Sequence, residues 1–268
     1  ISPTGSFSHV CYYTAGGGPG ALPVSAVDVQ LCTHIIMGFV AIDPAGNLNL
    51  TNVGGYQGLQ EFSELRTRPR LSGVKLMLSV GGGQHVDAQI PHRFLDSAVG
   101  VLRDAQLDGL DLDWEFPSLF DRKPFSAFLE KIFNAFRASS YGPFLLSVAV
   151  PAPGTLVIAY DITAIARSVD FVNLMTYDLH LYKWYTPLTG FNSPLFSRSD
   201  ELGYFATLNV QSSTEMWTSL GMPKSKLMVG IPTYGRSWML LSAQSAGVGS
   251  LAVGHGKEGD GSLSYPKV

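Results

Sequence analysis

Acidic residues occupy every second position from Asp111 to Glu115 in one short segment, Leu107-Asp108-Gly109-Leu110-Asp111-Leu112-Asp113-Trp114-Glu115-Phe116-Pro117. If this segment is a β-strand, Asp111, Asp113 and Glu115 share one face, and the Leu and Trp side chains between them share the other. Successive carboxylates would stand about 6–7 Å apart, and burial with mutual repulsion would raise their pKa values. At least one should therefore stay protonated near neutral pH. We predict that Glu115, last on the strand, is a general acid and that Asp113 can share a proton with Asp111 or Glu115.

Two other interpretations of these carboxylates are weaker. Acidic stretches usually form solvated faces, but here the intervening Leu110, Leu112 and Trp114 fit the pattern of a buried strand. A calcium loop carries Asp or Asn on a turn with Gly rather than along a strand, and no His accompanies these carboxylates. We therefore predict no metal site and no cofactor.

The rest of the chain must form the elements that hold this strand. Short apolar runs predict strands at residues 9–14, 34–42, 74–80, 107–116, 144–150, 171–177 and 226–232, with a turn at 43–47. Helical spacing of apolar residues predicts helices at 59–65, 93–105, 125–138, 158–166 and 204–220. Strands alternating with helices at this spacing are typical of parallel β/α units. About seven such units favour a barrel over an open doubly wound sheet.

The sequence beyond Trp238 becomes rich in Gly and Ser and shows no pattern for an eighth barrel strand. We therefore predict an α/β fold of the TIM-type (β/α)8 barrel class, truncated after the seventh strand. Residues 1–238 would form the catalytic barrel. Residues 239–268 would be the start of an insertion subdomain or a truncated end.

Composition limits the classes of partner. Hydrophobic residues make up 46% of the chain, charged residues make up 15%, and the formal net charge is -3. This balance favours a globular protein, most simply a monomer, that binds a neutral polymer such as a polysaccharide. It gives no reason to expect nucleic acid or a membrane as partner, and no apolar run of about 18 residues is present.

Features of the N-terminal part bear on the compartment. Asn49-Leu50-Thr51 is an N-glycosylation sequon, and a sequence that starts at Ile1 could be a mature chain without its signal peptide. Both favour a secreted glycoprotein. Cys11 and Cys32 could close a disulfide loop or remain as two buried thiols, and their spacing alone leaves both alternatives open.

The segment D-G-L-D-L-D-W-E at residues 108–115 resembles the D-x-x-D-x-D-x-E signature of family-18 chitinases. Three further elements resemble that family in the expected order: Ser79-Val80-Gly81-Gly82, Met175-Thr176-Tyr177-Asp178 and Tyr234-Gly235-Arg236. Residues 11–14 and 32–36 look like the start of the animal-type members. There the two cysteines are disulfide-bonded, which implies a Cys11–Cys32 bond and a secreted or lysosomal protein.

The resemblance implies a role for each residue. Hydrolysis would retain configuration, with the N-acetyl carbonyl oxygen of the substrate as nucleophile. Glu115 would protonate the glycosidic oxygen, Asp113 would orient the acetamide with Asp111 behind it, and Tyr177 would hydrogen-bond the acetamide oxygen. The further residues implied to contact sugar or support the site are Met175, Asp178, Tyr234, Arg236 and Tyr12, with Trp184 near the position of another cleft aromatic.

The sequence also departs from the family pattern. Gly83-Gln84 stands where active members usually carry a Trp, and Ala15-Gly16-Gly17-Gly18 stands where they usually carry Asn-Trp. Sugar rings stack on such aromatic faces, so their loss should weaken polymer binding. The first hypothesis is hydrolysis of chitin or β-1,4-linked N-acetylglucosamine oligomers. The alternatives are a lectin that binds these sugars without cleaving them and an inactive fragment. The presence of Glu115, which such lectins commonly lose, favours the enzyme.

Overall fold

The computed structural model describes residues 7–16, 21–68, 73–83, 93–257 and 259–264. The chain divides into two compact units. The first comprises Ile1–Val150, Ala159–Asn173 and Pro223–Met228, and the second comprises Pro151–Ile158, Leu174–Met222 and Val229–Val268. Within the described ranges, no helix has both the length and the apolar character that crossing a bilayer requires.

The main sheet contains seven parallel strands among the described residues, in the order β1-β2-β4-β5-β6-β7-β8. These are β1 Val10–Thr14, β2 His34–Ile42, β4 Lys75–Gly81, β5 Gly109–Asp113, β6 Leu145–Pro151, β7 Phe171–Met175 and β8 Leu227–Val229. A short strand, β3 (Leu48–Asn49), pairs antiparallel with β2. Parallel strands joined through helices confirm the predicted TIM-type barrel class.

The central strands β4, β5, β6 and β7 are almost entirely buried because most of their residues are apolar on both faces, as a parallel sheet covered by helices requires. The end strands β1 and β8 are partly exposed. Inside the first unit, side chains from several strands form one apolar cluster. Its members are Ile36, Met77 and Phe171, with Val10, Leu145 and Met228 packed against them. This apolar cluster packs the strands together. The polar residues of the candidate site lie further along the same strands.

The helices are α1 Gly55–Ser63, α2 Arg93–Asp104, α3 Arg122–Arg137, α4 Gly154–Val157, α5 Ile162–Ser168 and α6 Val210–Ser219. The predicted apolar faces of α2 and α3 are buried, including Phe94, Leu102, Phe125 and Phe136. The helix predicted at 158–166 begins later, at Ile162, and a separate short helix, α4, ends just before the predicted range. Asp161 is the N-cap of α5 and accepts a hydrogen bond from Ala164 N at 3.1 Å, so a new helix begins there.

Asn209 likewise shortens the helix predicted at 204–220. Its side chain accepts a hydrogen bond from Ser212 N at 2.8 Å, and α6 therefore begins at Val210. The turn predicted at 43–47 is confirmed, since Asp43 N donates to Asn47 O at 2.9 Å and leads β2 into β3.

The Gly- and Ser-rich segment contains antiparallel strands that the sequence analysis did not anticipate. In the second unit, β9 (Tyr234–Arg236) pairs with β12 (Ser262–Ser264), and β10 (Trp238–Leu240) pairs with β11 (Ala252–His255). Gly249 and Gly261 have positive φ values of 86° and 82°, which suits Gly in the connections. A domain boundary at Trp238 stays a prediction.

Cys11 on β1 and Cys32 just before β2 form a disulfide with a Cα–Cα distance of 6.0 Å. The implied disulfide is therefore confirmed. It ties β1 to the start of its neighbouring strand.

Candidate active site

Strand β5 presents the carboxylates. Asp111 and Asp113 are 0% and 4% exposed, whereas Glu115 is exposed. The prediction that Glu115 is the last residue of the strand is wrong, because β5 ends at Asp113. Its neighbour β4 turns away at Gly82, which has a φ of 68° and donates its N–H to Asp113 O at 2.8 Å. Beyond that hydrogen bond β4 offers no further pairing, so Glu115 follows the strand rather than lying in it.

Asp111 is the centre of a buried hydrogen-bond network. Among the described residues, four side chains donate to its carboxylate: Tyr12 at 2.8 Å, Ser79 at 2.8 Å, Ser147 at 2.6 Å and Asn173 at 3.2 Å. These donors lie on β1, β4, β6 and β7. Because an ionised carboxylate only accepts hydrogen bonds, this arrangement fits an ionised Asp111.

Asp113 has the opposite surroundings. Its Oδ1 atom is buried and has no hydrogen-bond partner among the residues that the structure describes. Burial, the charge on Asp111 and the charge on Glu115 raise the pKa of Asp113 to about 8. Burial also raises the pKa of Asp111, but its hydrogen-bond donors act against that rise. The proton of this pair therefore resides on Asp113 at neutral pH.

Tyr12 contacts the buried carboxylate of Asp111. Its ring stacks on Phe39 with centroids 6.2 Å apart, and its hydroxyl accepts a hydrogen bond from Asn173 Nδ2 at 2.9 Å. The hydroxyl donates to Asp111 at 2.8 Å, so Asn173 and Tyr12 act together on that carboxylate.

The sequence analysis missed Ser147, Asn173 and Tyr160 in the first unit. Ser147 and Asn173 are single polar residues in apolar strands, a pattern that could have drawn attention to them as buried hydrogen-bonding groups. Tyr160 is 2% exposed, and its pKa is raised by burial and by the charges of Asp113 and Glu115. Nothing in its sequence surroundings separates it from an ordinary core aromatic.

In the second unit, Arg236 holds Asp178 through two hydrogen bonds, Nε to Oδ1 and Nη2 to Oδ2, each at 2.7 Å. Asp260, another residue that the sequence analysis missed, accepts from Arg236 Nη1 at 2.7 Å. The guanidinium also lies 5.2 Å from the ring centroid of Tyr234. This planar, bidentate geometry fixes Arg236 firmly.

Other predicted sugar-contact residues also lie in the second unit. Tyr177 meets Tyr234 edge-on with centroids 6.0 Å apart, and Met175 ends β7. Burial and the charge of Asp178 raise the pKa of Tyr234, so its hydroxyl stays protonated. Trp184 is 82% exposed, and Tyr185 packs edge-on against it at 5.5 Å.

Some predictions concern other parts of the chain. Asn49 is exposed on β3, and its Oδ1 accepts from Thr51 N at 3.0 Å; glycosylation there stays a prediction. Gly17, Gly18 and Gln84, which mark departures from the family pattern, lie outside the described residues. Within the described ranges, no group of three or more His, Cys, Asp and Glu side chains is arranged to hold a metal ion.

Comparison with known proteins identifies the family of this chain. Residues 8–268 match the model of "Glycosyl hydrolases family 18". Mouse chitotriosidase-1 is 40% identical over 255 residues, which cover 87% of this chain and 53% of that relative. Human chitinase-3-like protein 2 is 31% identical over 288 residues, with 98% and 72% covered. The chain thus spans about half the length of chitotriosidase-1.

Solved structures agree with this assignment. The group IV chitinase of Ostrinia furnacalis is similar with a TM-score of 0.87 and 27% identity, covering 97% of this chain and 77% of that one. Human YKL-39, described as a pseudo-chitinase with retained chitooligosaccharide binding properties, has a TM-score of 0.85 and 28% identity, with 98% and 77% covered. The resemblance drawn from the acidic segment is confirmed, and the chain belongs to family 18 of the glycosyl hydrolases.

Proposed function

We propose that this chain hydrolyses β-1,4-linked N-acetylglucosamine oligomers, with retention of configuration and with the substrate's own acetamide as nucleophile. The observation that carries the proposal is an exposed carboxyl group, Glu115, placed two residues after a buried aspartate that holds a proton. An exposed acid can reach the glycosidic oxygen of a polymer, whereas the fully buried Asp111 cannot.

The proposed reaction assigns each step to one group. Glu115 gives its proton to the glycosidic oxygen as the bond from that oxygen to the anomeric carbon breaks. The acetamide carbonyl oxygen forms the new bond to the anomeric carbon, which yields a cyclic oxazolinium ion. Glu115, now ionised, then takes a proton from water, whose oxygen attacks the anomeric carbon and reopens the ring.

Asp113 would bind the acetamide group of the substrate during these steps. Its buried Oδ1 is an acceptor that lacks a partner among the described residues, and an acetamide N–H would satisfy it. As positive charge develops on the oxazolinium ring, negative charge on the Asp113–Asp111 pair would stabilise it. Asp111 stays ionised behind Asp113 because its hydrogen-bond donors hold it in that form.

We assign sugar contacts to residues of the second unit as part of the same proposal. Tyr177 would hydrogen-bond the acetamide oxygen, and Met175, Asp178, Tyr234, Arg236 and Trp184 would contact the sugar. We propose that the protein acts as a secreted or lysosomal monomer.

A second candidate function is binding of chito-oligosaccharides without cleavage. Two observations favour it: Gly83 stands where active members usually have a Trp, and human YKL-39 is described as a pseudo-chitinase that retains chitooligosaccharide binding. The retained Glu115 argues for the enzyme.

The deciding experiment measures release of a fluorescent leaving group from a chitobiose glycoside. Glu115→Gln keeps the shape of the side chain but removes the acid, so we expect turnover to fall by at least about 100-fold, with tetrasaccharide binding retained in calorimetry. Glu130→Gln, the same change at an exposed position on α3, is the matched control and should keep the full rate. Unchanged turnover in Glu115→Gln would remove Glu115 as the acid. Binding without turnover in the folded wild type would establish the lectin instead.

A further inference from the structure

Asp260 is an acidic residue of the second unit that the proposed reaction does not yet use. It lies two residues before β12, and its Oδ2 accepts a hydrogen bond from Arg236 Nη1 at 2.7 Å. This bond lowers the pKa of Asp260, so the carboxylate is ionised in the neutral range. The side chain of Asp260 is 69% exposed, whereas that of Arg236 is 12% exposed. An exposed carboxylate therefore holds one end of a largely buried guanidinium.

The backbone around Asp260 fixes the direction of its carboxylate. Its Oδ1 accepts from Ser262 N at 3.0 Å, which leaves Oδ2 for Arg236. The next residue, Gly261, accepts at its carbonyl oxygen from Ser237 N at 2.7 Å and from Ser237 Oγ at 3.0 Å. Gly261 has a φ of 82°, and a Cβ there would lie 2.7 Å from Ser237 O, so this close approach requires Gly. The turn that carries Asp260 is thus bonded to the residue that directly follows Arg236.

The guanidinium of Arg236 offers more N–H groups than its carboxylate partners use. It carries five. Asp178 accepts from Nε and from Nη2, each at 2.7 Å, and Asp260 accepts from Nη1. One N–H on Nη1 and one on Nη2 thus remain for other acceptors. A hydroxyl or an acetamide carbonyl oxygen of a sugar is an acceptor that these two groups can bind.

The two carboxylates that hold Arg236 differ in their other contacts. Asp178 is itself assigned to the sugar in the proposed function, so it cannot serve only as an anchor. Asp260 holds the guanidinium from a separate element and keeps it in place when Asp178 engages the sugar. Donors that are fixed before binding lose less conformational freedom when the ligand arrives.

We propose that Asp260 is a positioning residue of the sugar site, which holds Nη1 so that the two remaining N–H groups of Arg236 are directed to a sugar oxygen. The proposal rests on the proposed function, in which Arg236 contacts the substrate. Asp260 itself contacts no sugar and forms no covalent bond. Its effect is to raise the affinity for N-acetylglucosamine oligomers.

The first test is Asp260→Asn, made in the Glu115→Gln variant so that chitotetraose stays intact during calorimetry. The amide oxygen can keep the turn by accepting from Ser262 N, but the amide NH2 group then faces Nη1, where Arg236 needs an acceptor. We expect the affinity for chitotetraose to fall by about 3- to 10-fold, the effect of losing one charge-assisted hydrogen bond at a partly exposed site. Unchanged or tighter binding overturns the proposal.

Asp200→Asn in the same Glu115→Gln variant is the matched control. Asp200 is 64% exposed, and Arg198 donates to it at 2.7 Å within the same unit. Neither residue is assigned to the sugar, so we expect the affinity to change by less than about 1.5-fold. Equal losses of affinity in the two Asn variants would show a general effect of surface charge and would overturn the role of Asp260.

The second test separates positioning from a purely structural effect. Chitotetraose is uncharged, so an effect of salt on its affinity arises from charges within the protein. Salt weakens the exposed Asp260–Arg236 pair, and we expect Glu115→Gln to lose about two- to threefold in affinity between about 0.05 M and about 1 M NaCl. With Asp260→Asn added, the change should be less than about 1.5-fold. Equal salt dependence with and without Asp260→Asn overturns the proposal.

Turnover distinguishes this proposal from the proposed hydrolysis. With Glu115 in place, Asp260→Asn should raise KM for chitotetraose by the factor that the affinity falls and leave kcat within about twofold, because the reacting atoms are unchanged. Weaker binding in a chain that never cleaves the sugar supports the role of Asp260 and overturns only the hydrolysis. Full turnover with an unchanged KM overturns only the role of Asp260.

Discussion

Asp111 and Asp113 lie two residues apart on one strand, yet their surroundings give them different protonation states. Asp111 receives hydrogen bonds from Tyr12, Ser79, Ser147 and Asn173, whereas the buried Oδ1 of Asp113 has no partner in the described part of the chain. Two adjacent buried carboxylates cannot both be charged at low cost. The residue with the donors therefore carries the charge, and its neighbour carries the proton.

A pH dependence follows from the raised pKa of Asp113, about 8. Below that pH the pair holds its shared proton; above it that proton is lost and is no longer available to share with Glu115, the proposed general acid. We expect kcat/KM for the chitobiose glycoside to fall as pH rises through about 8, since this ratio reports the free enzyme. The measurement is a profile between about pH 4 and pH 10. Asp113→Asn is expected to lose that limb, and its persistence in this variant would assign the limb to another group.

At the scale of elements, the junction of β4 and β5 determines where the carboxylates are placed. Gly82 donates its N–H to Asp113 O at 2.8 Å and has a φ of 68°, and a Cβ on Gly82 would lie 2.2 Å from the Phe39 ring. The adjacent Gly83 also has a positive φ, 77°, but a Cβ there would meet no atom of the described residues within 4 Å. Alanine substitutions at these two glycines therefore separate two destabilising effects. Both substitutions strain the backbone, but only the one at Gly82 adds a steric clash.

Gly82→Ala and Gly83→Ala should therefore differ in activity. Both should lose about 1 kcal/mol of unfolding free energy through strain at positive φ. Gly82→Ala must also move Phe39 or the turn that holds Asp113, so we expect a further fall in kcat of about tenfold, since small displacements of reacting groups are costly. Urea unfolding and chitobiose turnover measure the two effects. Equal rates in both variants would show that the clash does not reach Asp113.

Sequence periodicity predicted elements better than it predicted their ends. The apolar faces of α2 and α3 and the inward Asp111 and Asp113 follow from spacing alone. Spacing could not show that β5 stops at Asp113, because that end depends on the turn of a different strand at Gly82. The sequence predicts Glu115 as a general acid from its residue type and spacing. Its exposure could not be predicted, because it results from the position of Glu115 beyond the end of β5.

The residues that could not be predicted from the sequence were missed for a common reason. Ser147, Asn173 and Tyr160 are single residues whose partners are distant in the chain. Locally, Ser147 and Asn173 stand out only as polar residues in apolar strands, and Tyr160 does not stand out at all. Asp260 lies in a Gly- and Ser-rich stretch whose strand, β12, forms only by pairing with β9. Tertiary contacts rather than propensity decide such positions.

At the scale of the whole molecule, the disulfide stabilises the region where the chain begins to form its sheet. Cys11 and Cys32 are 21 residues apart in sequence. A disulfide that closes a loop of that length raises the free energy of unfolding by about 3 kcal/mol. We expect the double variant Cys11→Ser/Cys32→Ser to lose about 2–4 kcal/mol of unfolding free energy in urea. Wild type treated with a reductant should behave like the variant. An unchanged midpoint in both would contradict a stabilising bond.

The network around Asp111 has a consequence for how such chains diverge. Its hydrogen bonds join β5 to β1, β4, β6 and β7, so one side chain links much of the sheet, whereas Glu115 is exposed after the end of β5. In a lineage that stopped cleaving sugar, substitutions at Glu115 would be nearly neutral for folding, while substitutions at Asp111 would leave several buried donors without an acceptor. Relaxed selection should therefore erase Glu115 early and Asp111 late, which makes a preserved Asp111 a record of ancestry and Glu115 the better indicator of present activity.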